Sequence, residues 1–134
     1  MIYNQIKLYL KILTMKLSND DLHKIAQVKC ILETEYRNNN THAHLASRVN
    51  TNESKLRKGF KMVNKQTIYE YLTHVRISKA KEMLELTDEP VKAIAIKLGY
   101  DVSNLVKQFK KNTGMAPQEW RRKNTPRSSL SFIL

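Results

Sequence analysis

The sequence is poor in the residues that build disulfide frameworks, tight turns and membrane spans. Its one cysteine, Cys30, excludes an intrachain disulfide and a cysteine-based zinc site. Three glycines and three prolines are few for a β-sandwich or barrel, which needs many turns. No run reaches the roughly 18 uninterrupted apolar residues of a membrane span. We therefore predict a cytoplasmic protein without disulfides.

Basic residues are abundant. The chain has 24 Lys+Arg against 12 Asp+Glu, which gives a formal net charge of +12. A surplus of this size indicates a polyanionic partner, either nucleic acid or an anionic membrane surface. Long runs rich in Leu, Lys, Glu, Ala and Ile favour an all-α fold.

Apolar periodicity divides the chain into helices. Residues 1–18 form an N-terminal extension that is open to three interpretations: a short amphipathic helix, a remnant of an upstream domain, or an extension before the true start at Met15. A flexible tail is predicted over 124–134. The helices predicted between them run over about 19–37, 41–49, 52–63, 67–86, 90–98, 101–112 and 116–122.

Residues that favour helix ends stand at these boundaries. Thr67 and Glu70 fit a capping box, and Thr41, Asn52 and Asp101 are predicted N-caps. Asn50 and Gly99 tolerate the left-handed conformation that a tight turn requires.

One unit occurs twice in the chain. The segment LASRVNTNESKLRKGFKM, from residue 45, aligns without gaps with IAIKLGYDVSNLVKQFKK, from residue 94. Each predicts two helices joined by a short turn, which is the helix-turn-helix pattern. We place the two units at about 41–64 and 91–113, with a linker helix of about 67–86 between them. The second helix of each unit is then a separate rod that can enter the major groove.

The second helix of each unit has an apolar side and a cationic side. On a helical wheel Leu56 and Phe60 face inward in the first unit, as Leu105 and Phe109 do in the second. A lysine-rich outer face is most often only a solvated face. Cations at matching positions of two repeats favour contact with DNA instead. The cations assigned to phosphates are Lys61, Lys110, Lys111, Arg121 and Arg122.

The stretch PVKAIAIKLGYDVSNLVKQFKKNTGMAPQEWRR resembles the C-terminal signature of AraC/XylS-type transcription regulators. The matching residues are Ile94-Ala95, Gly99-Tyr100, Ser103, Leu105, Phe109-Lys110, Gly114, Pro117 and Trp120-Arg121. The upstream half matches at Leu45-Ala46, Leu56, Phe60-Lys61, Tyr71-Leu72, Arg76 and Ala80. The resemblance covers about residues 20–123, and we place the DNA-binding domain at 19–123.

This resemblance implies a seven-helix domain of two helix-turn-helix subdomains joined by a long central helix. It also implies sequence-specific binding of double-stranded DNA, with both recognition helices in adjacent major-groove segments, and it leaves open RNA polymerase as a second partner. The positions that match the family's base readers are Ser54, Arg57, Lys58, Val102, Ser103, Asn104 and Lys107.

Several positions depart from the family pattern. Gly59 lies inside a predicted recognition helix and is expected to cost about 1 kcal/mol relative to Ala. Lys65 stands where Gly is frequent, so we expect a strained helix end there. Many family members also carry an effector domain, and residues 1–18 are too short for one. The chain is therefore either a bare DNA-binding domain or a fragment.

Other functions have weaker support in the sequence. His42, His44, His74 and Cys30 have neither metal-ligand nor triad spacing, so we predict no enzymatic activity, metal or cofactor. No small-molecule site is evident. Non-specific nucleic-acid binding, which needs only phosphate contacts, and a membrane-surface role for residues 1–18 remain alternatives.

Overall fold

The computed structural model describes residues 2–14 and 16–124, and all regular structure within them is helical. The all-α prediction is confirmed. The described residues form eight helices where the resemblance implied seven, and the additional helix comes from the N-terminal extension. The helices are α1 (Ile2–Thr14), α2 (Asn19–Thr34), α3 (His42–Arg48), α4 (Glu53–Asn64), α5 (Ile68–Leu86), α6 (Val91–Leu98), α7 (Val102–Thr113) and α8 (Pro117–Asn124). Beyond Asn124 the predicted flexible tail lies outside the described residues.

The chain divides into two compact units. The first comprises the described residues up to Glu35 together with Asn39–Leu72, and the second comprises Tyr36–Asn38 with the described residues from Thr73 onward. Helices α3 and α4 belong to the first unit, and α6 and α7 belong to the second. Helix α5 begins in the first unit and continues into the second.

Each unit has its own apolar core. In the first unit Leu56 and Phe60 of α4 are buried, and the Phe60 ring meets Tyr71 edge to face at 5.9 Å. In the second unit Leu105 and Phe109 of α7 are buried. The Phe109 ring lies edge to face against Trp120 at 5.7 Å. The predicted inward faces of both helices are thus confirmed.

The two helix-turn-helix turns are closed by the same main-chain hydrogen bonds. In the first turn Asn50 N donates to Ser47 O at 3.2 Å, and Thr51 N donates to Ala46 O at 2.9 Å. In the second turn Gly99 N donates to Ile96 O and Tyr100 N donates to Ala95 O, at the same two distances. Asn50 and Gly99 have φ of 55° and 82°, as their turn roles require. The repeat in the sequence is therefore a repeat in backbone structure.

Predicted caps begin the helices that follow. Thr41 accepts a hydrogen bond from His44 N, Asn52 from Lys55 N, and Asp101 from Asn104 N. Thr67 accepts from Glu70 N at 3.0 Å. Ser18 forms a full capping box with Asp21 at the start of α2, a cap that was not predicted from the sequence.

Helix α2 ends three residues before the predicted boundary at Arg37. A buried arginine explains this early end: Arg76 Nε donates to Tyr36 O at 2.7 Å, and an Nη donates to Asn38 O at 3.3 Å. The Arg76 guanidinium also stacks over the Tyr100 ring, 4.7 Å from its centre. These contacts hold the chain after α2 in a non-helical conformation.

Gly59 has a packing role in addition to the helix-propensity cost expected from the sequence. The residue is buried, and a Cβ built on it would lie 2.8 Å from Ile25 Cδ1 of α2. The absence of a side chain lets α2 approach α4 closely. Lys65, by contrast, has the left-handed backbone expected of a strained helix end, with φ of 60°.

Helix α1 packs on the first unit along one side only. Leu8 and Ile12 are half-buried, and Ile12 contacts the first core. The opposite side leaves six large apolar side chains exposed: Ile2, Tyr3, Ile6, Tyr9, Leu10 and Leu13. No helix in the described part of the chain combines the length and the apolarity needed to cross a bilayer.

Candidate nucleic-acid interface

The outer face of α4 carries exposed polar and cationic side chains. Because Leu56 and Phe60 fix the inner side, Ser54, Arg57 and Lys58 project away from the core and are all exposed. Lys61 is exposed one turn further along. The structure thus brings all four predicted residues of this helix to one solvent-facing surface.

Helix α7 repeats the arrangement with different side chains. Ser103, Lys107, Lys110 and Lys111 are exposed, and Val102 keeps 39% of its surface accessible in the first turn. Asn104 is half-buried, and its Oδ1 lies 3.5 Å from Gln108 Nε2. The predicted readers on α7 therefore share one outer face, with Asn104 at its edge.

The outer faces of α4 and α7 are cationic without local neutralisation. The ion pairs in the described chain use Lys24, Arg48, Lys55, Lys79, Lys97 and Lys123. None of them includes Lys58, Lys61, Lys107, Lys110 or Lys111. These lysines present full charges to solvent, as a surface that binds a polyanion requires.

Arg121 and Arg122 differ in their surroundings. Arg121 is half-buried, and its guanidinium donates to Leu84 O at 3.2 Å and to Glu89 O at 2.6 Å. It thereby joins α8 to the end of α5. Arg122 is exposed. The phosphate role predicted for Arg121 competes with these main-chain contacts and stays a prediction.

Contacts from α2 and α5 hold α4 in place. Lys55 Nζ, in the first turn of α4, lies 3.2 Å from Asp21 Oδ2 of α2. The Ser18 main-chain N–H is the main cause that lowers the pKa of Asp21, and Lys55 adds to it. On α5, burial together with a hydrogen bond to Glu33 of α2 raises the pKa of Tyr71 to about 12. Ionised Asp21 thus links α2 to α4, and neutral Tyr71 links α5 to α2.

A cationic groove that was not predicted from the sequence lies between α1 and α4. Five lysines line it, and we call it the lysine groove: Lys7, Lys11, Lys58, Lys61 and Lys65. Asn4, Leu8 and Met62 complete its lining, and its volume is about 520 Å³. The signal in the sequence was the spacing of Lys7 and Lys11, one helical turn apart.

Residues 2–14 and 16–124 contain no assembled metal site. There, no group of three or more His, Cys, Asp or Glu side chains is arranged to hold an ion. Cys30 is exposed on α2.

Comparison with known proteins gives consistent matches. The family model described as "Helix-turn-helix domain" matches residues 45–123, more than half of the chain. The chain is 33% identical over 73 residues to the "HTH-type transcriptional activator RhaR" of Klebsiella pneumoniae subsp. pneumoniae. That match covers 54% of this chain and 26% of the relative, so the chain spans about a quarter of the relative's length.

Two solved structures share the fold. The C-terminal domain of AraT, a response regulator from Geobacillus stearothermophilus, superposes with a TM-score of 0.74 at 24% identity. It covers 76% of this chain and 86% of that domain. The DNA-binding domain of the global transcriptional factor AdpA, solved in complex with a target DNA, gives a TM-score of 0.70 at 20% identity. That match covers 74% of this chain and 90% of the AdpA domain.

The matched residues, 45–123, contain both helix-turn-helix turns, the linker helix and most of α8. The relatives are transcription regulators of bacteria. The chain therefore belongs to the AraC/XylS-type family of transcription regulators, as a DNA-binding domain with tandem helix-turn-helix units.

Proposed function

We propose that this domain binds double-stranded DNA sequence-specifically by inserting α4 and α7 into two adjacent major-groove segments. One observation carries the proposal. In both units a helix with a buried Leu and Phe presents a serine in its first turn and unneutralised lysines on its outer face. A helix of this form, preceded by a supporting helix and a tight turn, matches the geometry of major-groove readers.

The outer side chains differ between the two helices, which supports the reading of two different base sequences. Arg57 on α4 suits guanine, because its guanidinium can donate to O6 and N7 together. Asn104 on α7 suits adenine, and the exposed Val102 suits contact with a thymine methyl group. Ser54, Lys58, Ser103 and Lys107 complete the proposed base-reading set.

Other cations would contact the DNA backbone. We assign Lys61, Lys110, Lys111 and Arg122 to phosphates, where contacts position the protein without reading sequence. A phosphate contact of Arg121 would compete with its bonds to Leu84 O and Glu89 O. RNA polymerase as a further partner and a cytoplasmic location remain proposals of the same kind.

The test begins with selection of bound sites from random duplexes. Each variant is then profiled on a library of single-base substitutions of the selected site. Arg57→Ala and Asn104→Ala should each cost about 1–3 kcal/mol and relax preference at one position. Lys111→Ala is the control, which should weaken binding about equally on all sequences.

The positions relaxed by the two reader variants should lie about 10 bp apart, which is one turn of B-DNA. Uniform losses for both readers would instead mean that α4 and α7 only grip the backbone, as a non-specific binder does. If Asn104→Ala relaxes base preference and Arg57→Ala does not, only the second unit reads bases.

A further inference from the structure

The strongest unassigned feature is the lysine groove. We propose that it binds backbone phosphates of duplex DNA beside the segment read by α4, which makes α1 a third DNA-contacting element. This inference rests on the proposed function and extends it to a helix outside the residues that match the family model.

The charge of the groove is concentrated and uncompensated. All five lysines are exposed, and the lining contains no acidic residue. None of the five forms an ion pair with another described residue. Like charges one helical turn apart destabilise a helix unless an anion is near. Lys7 and Lys11 form such a pair on α1, and Lys58 and Lys61 form one on α4.

Helix α1 is attached to the first unit, so its lysines have a defined position. Leu17 N donates to Ile12 O at 3.2 Å while Lys16 adopts φ of 56°, a closure typical of a helix C-terminus. Leu17 itself is buried in the first core, close to Gly59 of α4. This anchor keeps Lys7 and Lys11 across the groove from α4.

The position of the groove favours DNA over other polyanions. Lys58 and Lys61 line the groove and also belong to the outer face of α4 that carries Arg57. A helix in the major groove, which is about 12 Å wide, has a phosphate backbone on either side. A second helix packed about 8–10 Å from it lies at the distance of that backbone. The lysines of α1 therefore face the strand that borders the α4 segment.

The main experiment compares Lys7→Gln/Lys11→Gln with a charge-matched control, Lys29→Gln/Lys92→Gln, whose lysines lie outside the groove and outside the proposed DNA contacts. Glutamine keeps helix propensity close to that of lysine. The groove variant should bind every duplex more weakly by the same factor. Its slope of log K against log salt should fall by about 2, one unit for each lost phosphate contact. Base preference at the selected site should not change.

A second measurement does not depend on a variant. Lysine acetylation of the parent, free and bound to the selected duplex, should show protection of Lys7 and Lys11 in the complex. Acetylation of Lys29 should not change. Full reactivity of Lys7 and Lys11 in the complex would overturn the inference.

The remaining outcomes separate this inference from the proposed function. Site-selective binding by the parent together with an unchanged salt slope for the groove variant would overturn only the groove. Tighter binding by that variant would show that α1 obstructs α4. Equal losses of affinity in the control variant would show that the effect comes only from the lower net charge, which would overturn the groove. Failure of the parent to select any site would overturn both proposals.

Two other polyanions are tested in parallel. Inorganic triphosphate and vesicles of phosphatidylcholine with phosphatidylserine are offered to the parent and to the groove variant. Binding of either probe that requires Lys7 and Lys11, with DNA binding unaffected, would overturn the inference in favour of a small anion or a membrane surface.

Discussion

At the scale of single residues, Gly99 and Gly59 are needed for two different structural reasons. Gly99 has φ of 82°, and a Cβ there would collide with the carbonyl oxygen of Arg37 and approach an Arg76 nitrogen to 2.9 Å. Gly59 lies in a regular helix, and the atom closest to a Cβ built there is Ile25 Cδ1, at 2.8 Å. The first demand comes from backbone conformation and packing together, and the second from packing alone.

The packing role of Gly59 predicts coupling with Ile25. Ile25→Val removes the opposing Cδ1 and should cost about 0.5–1.5 kcal/mol. In that background Gly59→Ala should recover about 1 kcal/mol, because alanine is the better helix former and the space is now open. In the parent the same substitution should be less favourable, since Ile25 must shift. The measurement is a double-mutant cycle by urea unfolding.

Equal effects of Gly59→Ala in both backgrounds would contradict the packing explanation. Val28→Ala provides a control, because Val28 is buried on the same helix and belongs to the same core but does not face Gly59 in the contacts described. It should show no coupling with Gly59→Ala beyond experimental error.

The sequence predicted residue roles where they depend on local geometry. Asn50 and Gly99 were identified from turn tolerance alone, and Asn52 and Asp101 from capping preference. Long-range roles were inaccessible. Nothing near Arg76 in the sequence indicates that it binds carbonyls of residues 36 and 38, about forty positions away.

At the scale of elements, the start of α2 combines two electrostatic contacts in one carboxylate. Asp21 Oδ2 accepts a hydrogen bond from Ser18 N at 2.9 Å and lies 3.2 Å from Lys55 Nζ. The lowered pKa of Asp21 means that its ionised form is favoured in the folded state. This contribution to stability is fully present above the unfolded pKa and is lost as pH falls through the lower, folded pKa.

Asp21→Asn should therefore destabilise the protein at pH 7 by more than Asp20→Asn does. Asp20 lies in the same first turn and has the same charge, but it faces Lys24 and is largely exposed. The excess cost of Asp21→Asn should shrink as pH falls below about 4, where the unfolded carboxyl takes up its proton. Thermal unfolding of both variants between pH 7 and pH 3 measures this. A pH-independent difference would show that the carboxylate charge is not involved.

Helix ends were predictable to within a few residues, except where another element intervenes. Apolar periodicity and caps indicated α3 to α7 closely, because both signals are local. The predicted end of α2 was wrong by three residues, and Arg76 binds the carbonyls of Tyr36 and Asn38 in the non-helical segment that follows. The helical state of residues 2–14 was one of three open interpretations, since their apolar residues also fit other roles.

At the scale of the whole molecule, two separate cores support two helix-turn-helix units. Phe60 belongs to the first core with Leu56, and Phe109 to the second with Leu105. Both phenylalanines are fully buried. Sequence repetition predicted this duplication, because the same apolar positions recur in both halves. It could not predict the added groove beside α4, which depends on how α1 packs.

The two cores predict that damage to one unit should remain distinguishable from damage to the other. Phe109→Ala should cost about 3–5 kcal/mol, the usual range for truncating a buried phenylalanine. Amide hydrogen exchange should then accelerate most in α6 and α7, since local opening follows the packing that has been lost. Phe60→Ala is the matched variant, with the largest acceleration expected in α3 and α4.

On DNA, each variant should lose base preference first in the half of the site assigned to its own recognition helix. Identical exchange patterns for the two variants would mean that the units open as one cooperative body. An unchanged melting temperature for Phe109→Ala would mean that this ring is not the anchor of the second core.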